Sequence, residues 1–506
     1  MSGKKTSWAS HQKRWFGKWH VYLGIIAGFI IAFVGLTGSI LVFREEIDAA
    51  LNPQLFIVKP TGNKIPPAVL LPSFQQAHPA YKISYLAADD TSATATYEAY
   101  DAATGLEIFI NPYTGSVRGV RKHDSGFVGV VTELHRTLLI PVAGRYIVGM
   151  AAICLLILTA SGLRLWVPQK LKQLKAALLI KQRASFKRRN YDLHRVVGLY
   201  SSPVVFVLAL TGVCITFSVV VIPMLFLCSG KSPQGVQQLL GAKSHYQAGV
   251  KPIPLTELVK KAEAAMPGAK VLGYAVPKDT TASYRFDMMS SGLPHSGKRE
   301  MALLDQYTGK LLLNSRTDFP EVGNAYLSWL TPLHYGTFGG LPTQILALLG
   351  GSMPLVLFIS GVVIWWPRFK KQGGKQVQKN ALRVVVVSET STDDDMEKRT
   401  SFTFRLKRGF KYALLFIGLT VLMGTLYGLI SGLPIRPGLA AMAFLTTLIQ
   451  VNLALAVVCF LIYALLFYPF GKRSRIWPGY LAWSLPFALV YGLFYHLCFN
   501  MGLSIF

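Results

Sequence analysis

Seven stretches of the chain stay apolar for long enough to cross about 30 Å of hydrocarbon as helix. They run over 20–43, 145–167, 195–227, 343–366, 410–433, 441–468 and 479–500. The pattern predicts seven spans, with the two chain ends on opposite sides. Between the spans the period changes. In segment 44–145, residues 66–80 predict a short helix. Strand-like runs follow at 82–88, 94–101 and 106–111, then a turn at Asn111-Pro112-Tyr113-Thr114-Gly115 that leads to another strand. Segment 229–342 repeats this order, with a helix at 254–265, strands near 270–276, 283–289 and 300–305, and a turn at Asp305-Gln306-Tyr307-Thr308-Gly309. Each segment reads as a small α+β module outside the bilayer. Segment 367–409, with Gln372-Gly373-Gly374 and the run Asp393-Asp394-Asp395, predicts a flexible linker.

Composition agrees with an α-helical integral membrane protein. Hydrophobic residues make up 52% of the 506, and charged residues 15%, against about 25% in soluble domains. The five cysteines, Cys154, Cys214, Cys228, Cys459 and Cys498, lie in or beside apolar runs and form no Cys-x-x-Cys pair, which excludes a c-type haem attachment. Net charge is +28, and its placement decides its meaning. Segments 1–19, 168–193, 367–409 and 469–478 together hold 27 Lys/Arg against 6 acids, whereas 44–145 and 229–342 hold 21 against 18. The positive-inside rule makes the first set cytoplasmic and the two modules periplasmic, so the basic excess is topology and not a nucleic-acid footprint. Trp15, Trp19, Trp166, Trp365, Trp366, Trp477 and Trp483 sit at the predicted cytoplasmic mouths as an interfacial belt.

The most informative signal is an internal repeat. Trp19-His20-Val21-Tyr22-Leu23-Gly24 corresponds to Leu193-His194-Arg195-Val196-Val197-Gly198 at a shift of 174, which also carries Leu36-Thr37-Gly38 onto Leu210-Thr211-Gly212. Leu134-His135 corresponds to Leu333-His334 at a shift of 199, carrying Ser161-Gly162 onto Ser360-Gly361. Span, module and span therefore occur twice in the same orientation, and two parallel halves about an axis along the membrane normal are expected. The organisation predicted is an N-terminal segment 1–19, a first repeat 20–167, a basic loop 168–193, a second repeat 194–366, the linker 367–409 and three further spans within 410–500.

Four of the ten histidines occupy repeat positions. His20 and His194 open the first and third spans at the cytoplasmic face, and His135 and His334 lie just before the second and fourth at the external face. Two-fold packing brings each pair together, and facing imidazoles are the usual axial ligands of a low-spin b haem in a helical bundle. Two b haems, each bis-His, are the expectation. Gly24 and Gly198, one turn beyond their histidines, leave room for a macrocycle; Arg136, Arg195 and Arg164 are candidates for its propionates. The plainer alternative is that these histidines only sit at the interface. Gly28, Gly35 and Gly38 suit close helix packing. His496 has no repeat partner and reads as structural; His11, His78, His123, His245 and His295 fall in polar segments. No Gly-x-Gly-x-x-Gly strand–helix turn and no Walker loop is present, so nicotinamide and ATP sites are not expected.

On these residues the chain resembles the PepSY-associated transmembrane helix family of bacterial inner-membrane proteins. The resemblance covers about 15–370 and rests on Trp19-His20 with Gly24, the modules ending in Tyr-Thr-Gly, Leu134-His135-Arg136, and the exits Trp166-Val167-Pro168 and Trp365-Trp366-Pro367. It implies PepSY-like periplasmic modules, two b haems, and the reduction of a ferric siderophore or other ferric chelate in the periplasm. The missing nicotinamide and ATP motifs make a separate quinol or cytoplasmic reductase the expected electron donor. Two departures are Leu333-His334-Tyr335, which lacks the arginine, and the spans of 410–500, which lie beyond the family's core. A haem-free siderophore or peptide permease and a regulatory scaffold are the rival expectations.

Overall fold

The structure is a computed structural model that describes residues 8–87, 92–168, 171–231, 240–246 and 248–384. The chain divides into a unit of residues 16–365 and a second of 1–15 with 366–506. The expected spans at 410–433, 441–468 and 479–500, and His496, lie outside the described residues. Among those described, the helices at Ala143–Trp166, Phe186–Thr216 and Leu341–Pro367 are long and apolar enough to cross a membrane. The pair Phe16–Ile26 and Gly28–Leu41, bent by 61°, makes a fourth if it is one span.

Two of the predicted spans differ from expectation in shape. The first bends at Ala27 beside Gly28, where a Cβ would come within 2.6 Å of Phe358. A residue without a side chain there lets the bent helix close on its neighbour. Gly35 does the same against the backbone of Gly351, and Ser39 Oγ donates to the Leu348 carbonyl at 2.9 Å. The third span ends at Thr216 instead of running to 227: Phe217 (φ −104°, ψ 31°) leaves the helical region, and a separate helix Ser218–Cys228 follows with Pro223 inside it. Of the predicted linker 367–409, residues 367–384 are helical instead, part of the helix Leu341–Val384, and the rest lies outside the described residues.

The strands are β1 (Tyr85–Ala87), β2 (Tyr97–Asp101), β3 (Leu106–Ile110), β4 (Val117–Lys122), β5 (Ala269–Ala275), β6 (Tyr284–Ser290), β7 (Lys298–Leu304) and β8 (Leu311–Asn314). Each four-stranded set follows the predicted order, with Gly115 (φ 72°) and Gly309 (φ 65°) supplying the left-handed turn residue. The two sets are not separate sheets. They form one antiparallel sheet ordered β4-β3-β2-β1-β5-β6-β7-β8, in which Leu86 of β1 faces Tyr274 of β5. Pairing β1 with β5 removes two exposed edges. At the seam Tyr85 Oη donates to Asp287 Oδ2 at 2.9 Å and lies where Gly273 has no side chain. One core serves both halves: Leu70, Leu71 and Phe74 of the helix Pro67–Ala77 pack with Leu258 and Met266, against Leu86, Ile108, Phe286 and Leu304 of the sheet. A second cluster, Phe226, Leu303, Leu313 and Phe319, joins the β7–β8 end to the helix Ser218–Cys228.

Candidate functional site: two facing histidine pairs

His20 lies on the helix Trp8–Ile26 and His194 on Phe186–Thr216. Their ring centroids are 6.3 Å apart with the planes at 88°. His135 and His334 lie on the helices Gly126–Thr137 and Glu321–Tyr335, each of which precedes a span. Their helices end in left-handed residues, Leu138 and Gly336, and the centroids are 6.1 Å apart with the planes at 49°. The helix Phe186–Thr216 touches both pairs, carrying His194 near one end and Thr211, a partner of His334, near the other. Seventeen residues of helix place the two pairs about 25 Å apart along its axis.

Every one of the four rings is held at Nδ1. His20 Nδ1 meets Ser161 Oγ at 2.9 Å, and His194 Nδ1 meets Ser360 Oγ at 2.8 Å. His334 Nδ1 meets Thr211 Oγ1 at 2.9 Å; His135 Nδ1 meets the Val34 carbonyl at 2.9 Å and Thr37 Oγ1 at 3.4 Å. The protons can be assigned. Each hydroxyl already donates to its own helix: Ser161 to the Leu158 carbonyl, Ser360 to Val356, Thr211 to Val207 and Thr37 to Phe33. The hydroxyl oxygens are left to accept, as the Val34 carbonyl must, so Nδ1 carries the proton and Nε2 keeps its lone pair.

The glycine after each hydroxyl residue clears space for the ring. A Cβ on Gly162 would lie 3.2 Å from His20 Cε1, on Gly361 3.4 Å from His194 Cε1, on Gly38 2.7 Å from His135 Cε1, and on Gly212 3.4 Å from His334 Cε1. Gly24 and Gly198, singled out from the sequence, are placed otherwise: a Cβ there would meet only Leu158 at 3.9 Å and Leu357 at 3.6 Å. The Ser-Gly and Thr-Gly dipeptides were visible as repeat-equivalent positions, but nothing in their spacing marked them as partners of the histidines.

A cavity of about 240 Å³ adjoins His135 and His334. Its wall includes the predicted Arg136 and two arginines that sequence reasoning passed over, Arg44 and Arg145, together with Tyr335. Both missed residues stand where an apolar run meets a polar segment, which is the signal that could have found them. Arg44 lies over the Tyr335 ring at 5.1 Å; Arg145 donates to the Ile215 and Thr216 carbonyls at 3.3 Å; Arg136 stands 3.7 Å from Glu133. Beside the other pair, Arg195 pairs with Asp192 at 3.7 Å and donates to the Ala176 carbonyl, while its buried Nε has no hydrogen-bond acceptor among the described residues. Arg164 occupies the last turn of the helix Ala143–Trp166.

Of the remaining histidines, His123 contacts Glu107 Oε1, His245 lies 3.5 Å from Asp305, and His78 packs on Phe74. Among the described residues no group of three or more His, Cys, Asp or Glu converges to hold a metal ion. Each pair offers two nitrogen donors, so a six-coordinate metal between them would take its other ligands from a bound group. Residues 18–368 match the family described as PepSY-associated TM region. No curated protein matches the chain.

Proposed function

The chain belongs to the PepSY-associated TM region family, and from that premise we propose that it is an inner-membrane di-haem reductase delivering electrons to ferric iron in the periplasm. His20 with His194, and His135 with His334, would each hold one b haem. The observation that carries this reading is the pair geometry. Each pair brings two imidazoles from distant parts of the chain to centroid separations of 6.3 and 6.1 Å, close enough that both could ligate one iron. With Nδ1 held as a donor, each Nε2 keeps its lone pair and would be the nitrogen that binds iron. The same contacts recurring at both repeat shifts support a duplicated span–module–span unit.

When bound, haem supplies one-electron carriage at two depths, dividing a membrane of about 30 Å into shorter transfers. The protein's own groups do the rest. Arg136, with Arg44 and Arg145, would neutralise propionates on the module side, and Arg195 with Arg164 on the other. The acceptor is a ferric siderophore or another ferric chelate. One electron per iron gives the ferrous ion, which is less charged and held less tightly by hard oxygen ligands. A quinol or a cytoplasmic reductase is the donor. The Lys/Arg-rich character of the other segments supports a periplasmic side for the modules at 44–145 and 229–342.

The deciding experiment is the absorption spectrum of the full-length protein purified from haem-replete cells. A Soret band, with sharp α and β bands after dithionite and about two haems per chain, is expected. A colourless folded preparation refutes the reading. Orientation is tested on a chain lacking native cysteines: an impermeant maleimide should label Ala103→Cys, but not Ser185→Cys, in intact spheroplasts.

A further inference from the structure

We infer that Ser161, Ser360, Thr37 and Thr211 are positioning residues that set the two imidazole pairs at different mutual angles, so that the two irons are electronically inequivalent. The inference rests on the di-haem reading above. The hydrogen-bond partners differ between the pairs in a way that matches the angles. His20 and His194 both lean on serine hydroxyls, at 2.9 and 2.8 Å, and stand at 88°. In the other pair His334 leans on the Thr211 hydroxyl, whereas His135 has its closer contact, 2.9 Å, with the Val34 carbonyl and only 3.4 Å with Thr37. That pair stands at 49°.

Each hydroxyl is itself fixed by donating to its own helix one turn back, so the acceptor cannot swing and the ring cannot rotate without losing its partner. The glycine beside each hydroxyl residue permits the ring to sit this close. Two consequences follow for a ferric iron between the rings. An imidazole donates π-density into the iron d orbital that lies across its plane. Perpendicular rings raise both d-π orbitals equally and leave them nearly degenerate, which gives a strongly anisotropic spectrum; rings at 49° split them and lessen the anisotropy. In addition, each Nδ1–H···O bond makes the ring a stronger donor and favours the ferric state. Removing the acceptor should therefore raise the reduction potential of that haem alone.

The test is electron paramagnetic resonance of the oxidised full-length protein, with a potentiometric titration followed optically. Wild type should show two low-spin ferric signals with unequal highest g values. Ser161→Ala and Ser360→Ala should shift the more anisotropic signal and raise one midpoint potential, leaving the other signal in place. Thr211→Val should alter the second signal only. Ser161→Thr, which keeps the acceptor, should restore both wild-type readouts. Two indistinguishable signals in wild type, or unmoved signals and potentials in a haem-replete Ser161→Ala, overturn the positioning role. If Ser161→Ala loses its haem, retention of haem and signal in Ser161→Thr supports the role, and loss there too overturns it. A wild-type protein without haem signals overturns the di-haem reading itself, a separate outcome.

Discussion

His20 and His194, 174 residues apart in the chain, face each other with ring centroids 6.3 Å apart and planes nearly perpendicular. His135 and His334 repeat the relationship at 6.1 Å near the far end of the helix that carries His194. Each ring belongs to a different helix, so neither pair exists until the two halves of the chain pack. Both pairs join one half to the other.

On the proposed di-haem reading, substitutions of these four histidines should fall into two classes. His20→Ala and His194→Ala should each disturb one haem, and His135→Ala and His334→Ala the other. A double substitution within a pair should be little worse than either single, whereas one from each pair should abolish both, the non-additivity of groups that act as a unit. Haem content and reduced-minus-oxidised spectra measure this. Loss of the same haem from His20→Ala and His135→Ala would contradict the pairing.

The glycines divide in the same way. Gly38→Ala places a Cβ 2.7 Å from His135 Cε1 and should turn the ring, removing one of the two proposed haems. Gly24→Ala meets only Leu158 at 3.9 Å and should retain both. Equal haem content in the two variants would show that the space beside His135 is not needed.

In the sheet unit, Glu300 is 1% exposed in its side chain and takes two hydrogen bonds from Arg316, at 2.5 and 2.6 Å. Arg316→Met leaves the buried carboxylate only Lys298, 3.9 Å away, and should cost about 3 kcal/mol. The exposed pair of Arg285 and Asp287, at 3.2 Å, should lose less than about 1 kcal/mol on Arg285→Met. Hydrogen exchange of the β6–β8 amides in urea compares the two.

Asp305 supplies the acid dependence of its turn. Burial pushes its carboxyl up, but the backbone N–H groups of His245, Thr308 and Tyr307 outweigh this and hold it below the usual carboxylate range. A depressed carboxyl stabilises the fold fully above its unfolded pKa of about 3.9, and that contribution is lost as pH falls through the lower folded value. Asn111 makes the equivalent contact to Tyr113 N at 2.9 Å without a charge. Asp305→Asn should thus keep the turn and flatten the loss of stability below about pH 4. Acid unfolding followed by tyrosine fluorescence tests the slope, which an unchanged profile would contradict.

Much of this protein was legible in local pattern. Apolar length marks a candidate span, a left-handed turn needs Gly115 or Gly309, and the histidines recur at fixed shifts, so the candidate spans among the described residues, the strands and the four rings could be read before any packing was known. Arg136 too could be found, because it adjoins a histidine. What local pattern does not carry is the relation between distant segments. The union of two modules into one sheet depends on β1 meeting β5, almost two hundred residues later, and a short strand carries no mark of its partner. The breaks at Ala27 and Phe217 lie inside runs that are apolar throughout, where hydropathy is blind to backbone angle. Ser161, Ser360, Thr37 and Thr211 were visible as repeats, yet their task appeared only with the direction of each Nδ1. Gly24 and Gly198 share a helical face with their histidines, whereas the glycines pressed against the rings come from the helices opposite. Ring angles of 88° and 49° belong to the tertiary structure alone, because each is set by one helix holding a side chain that another helix supplies.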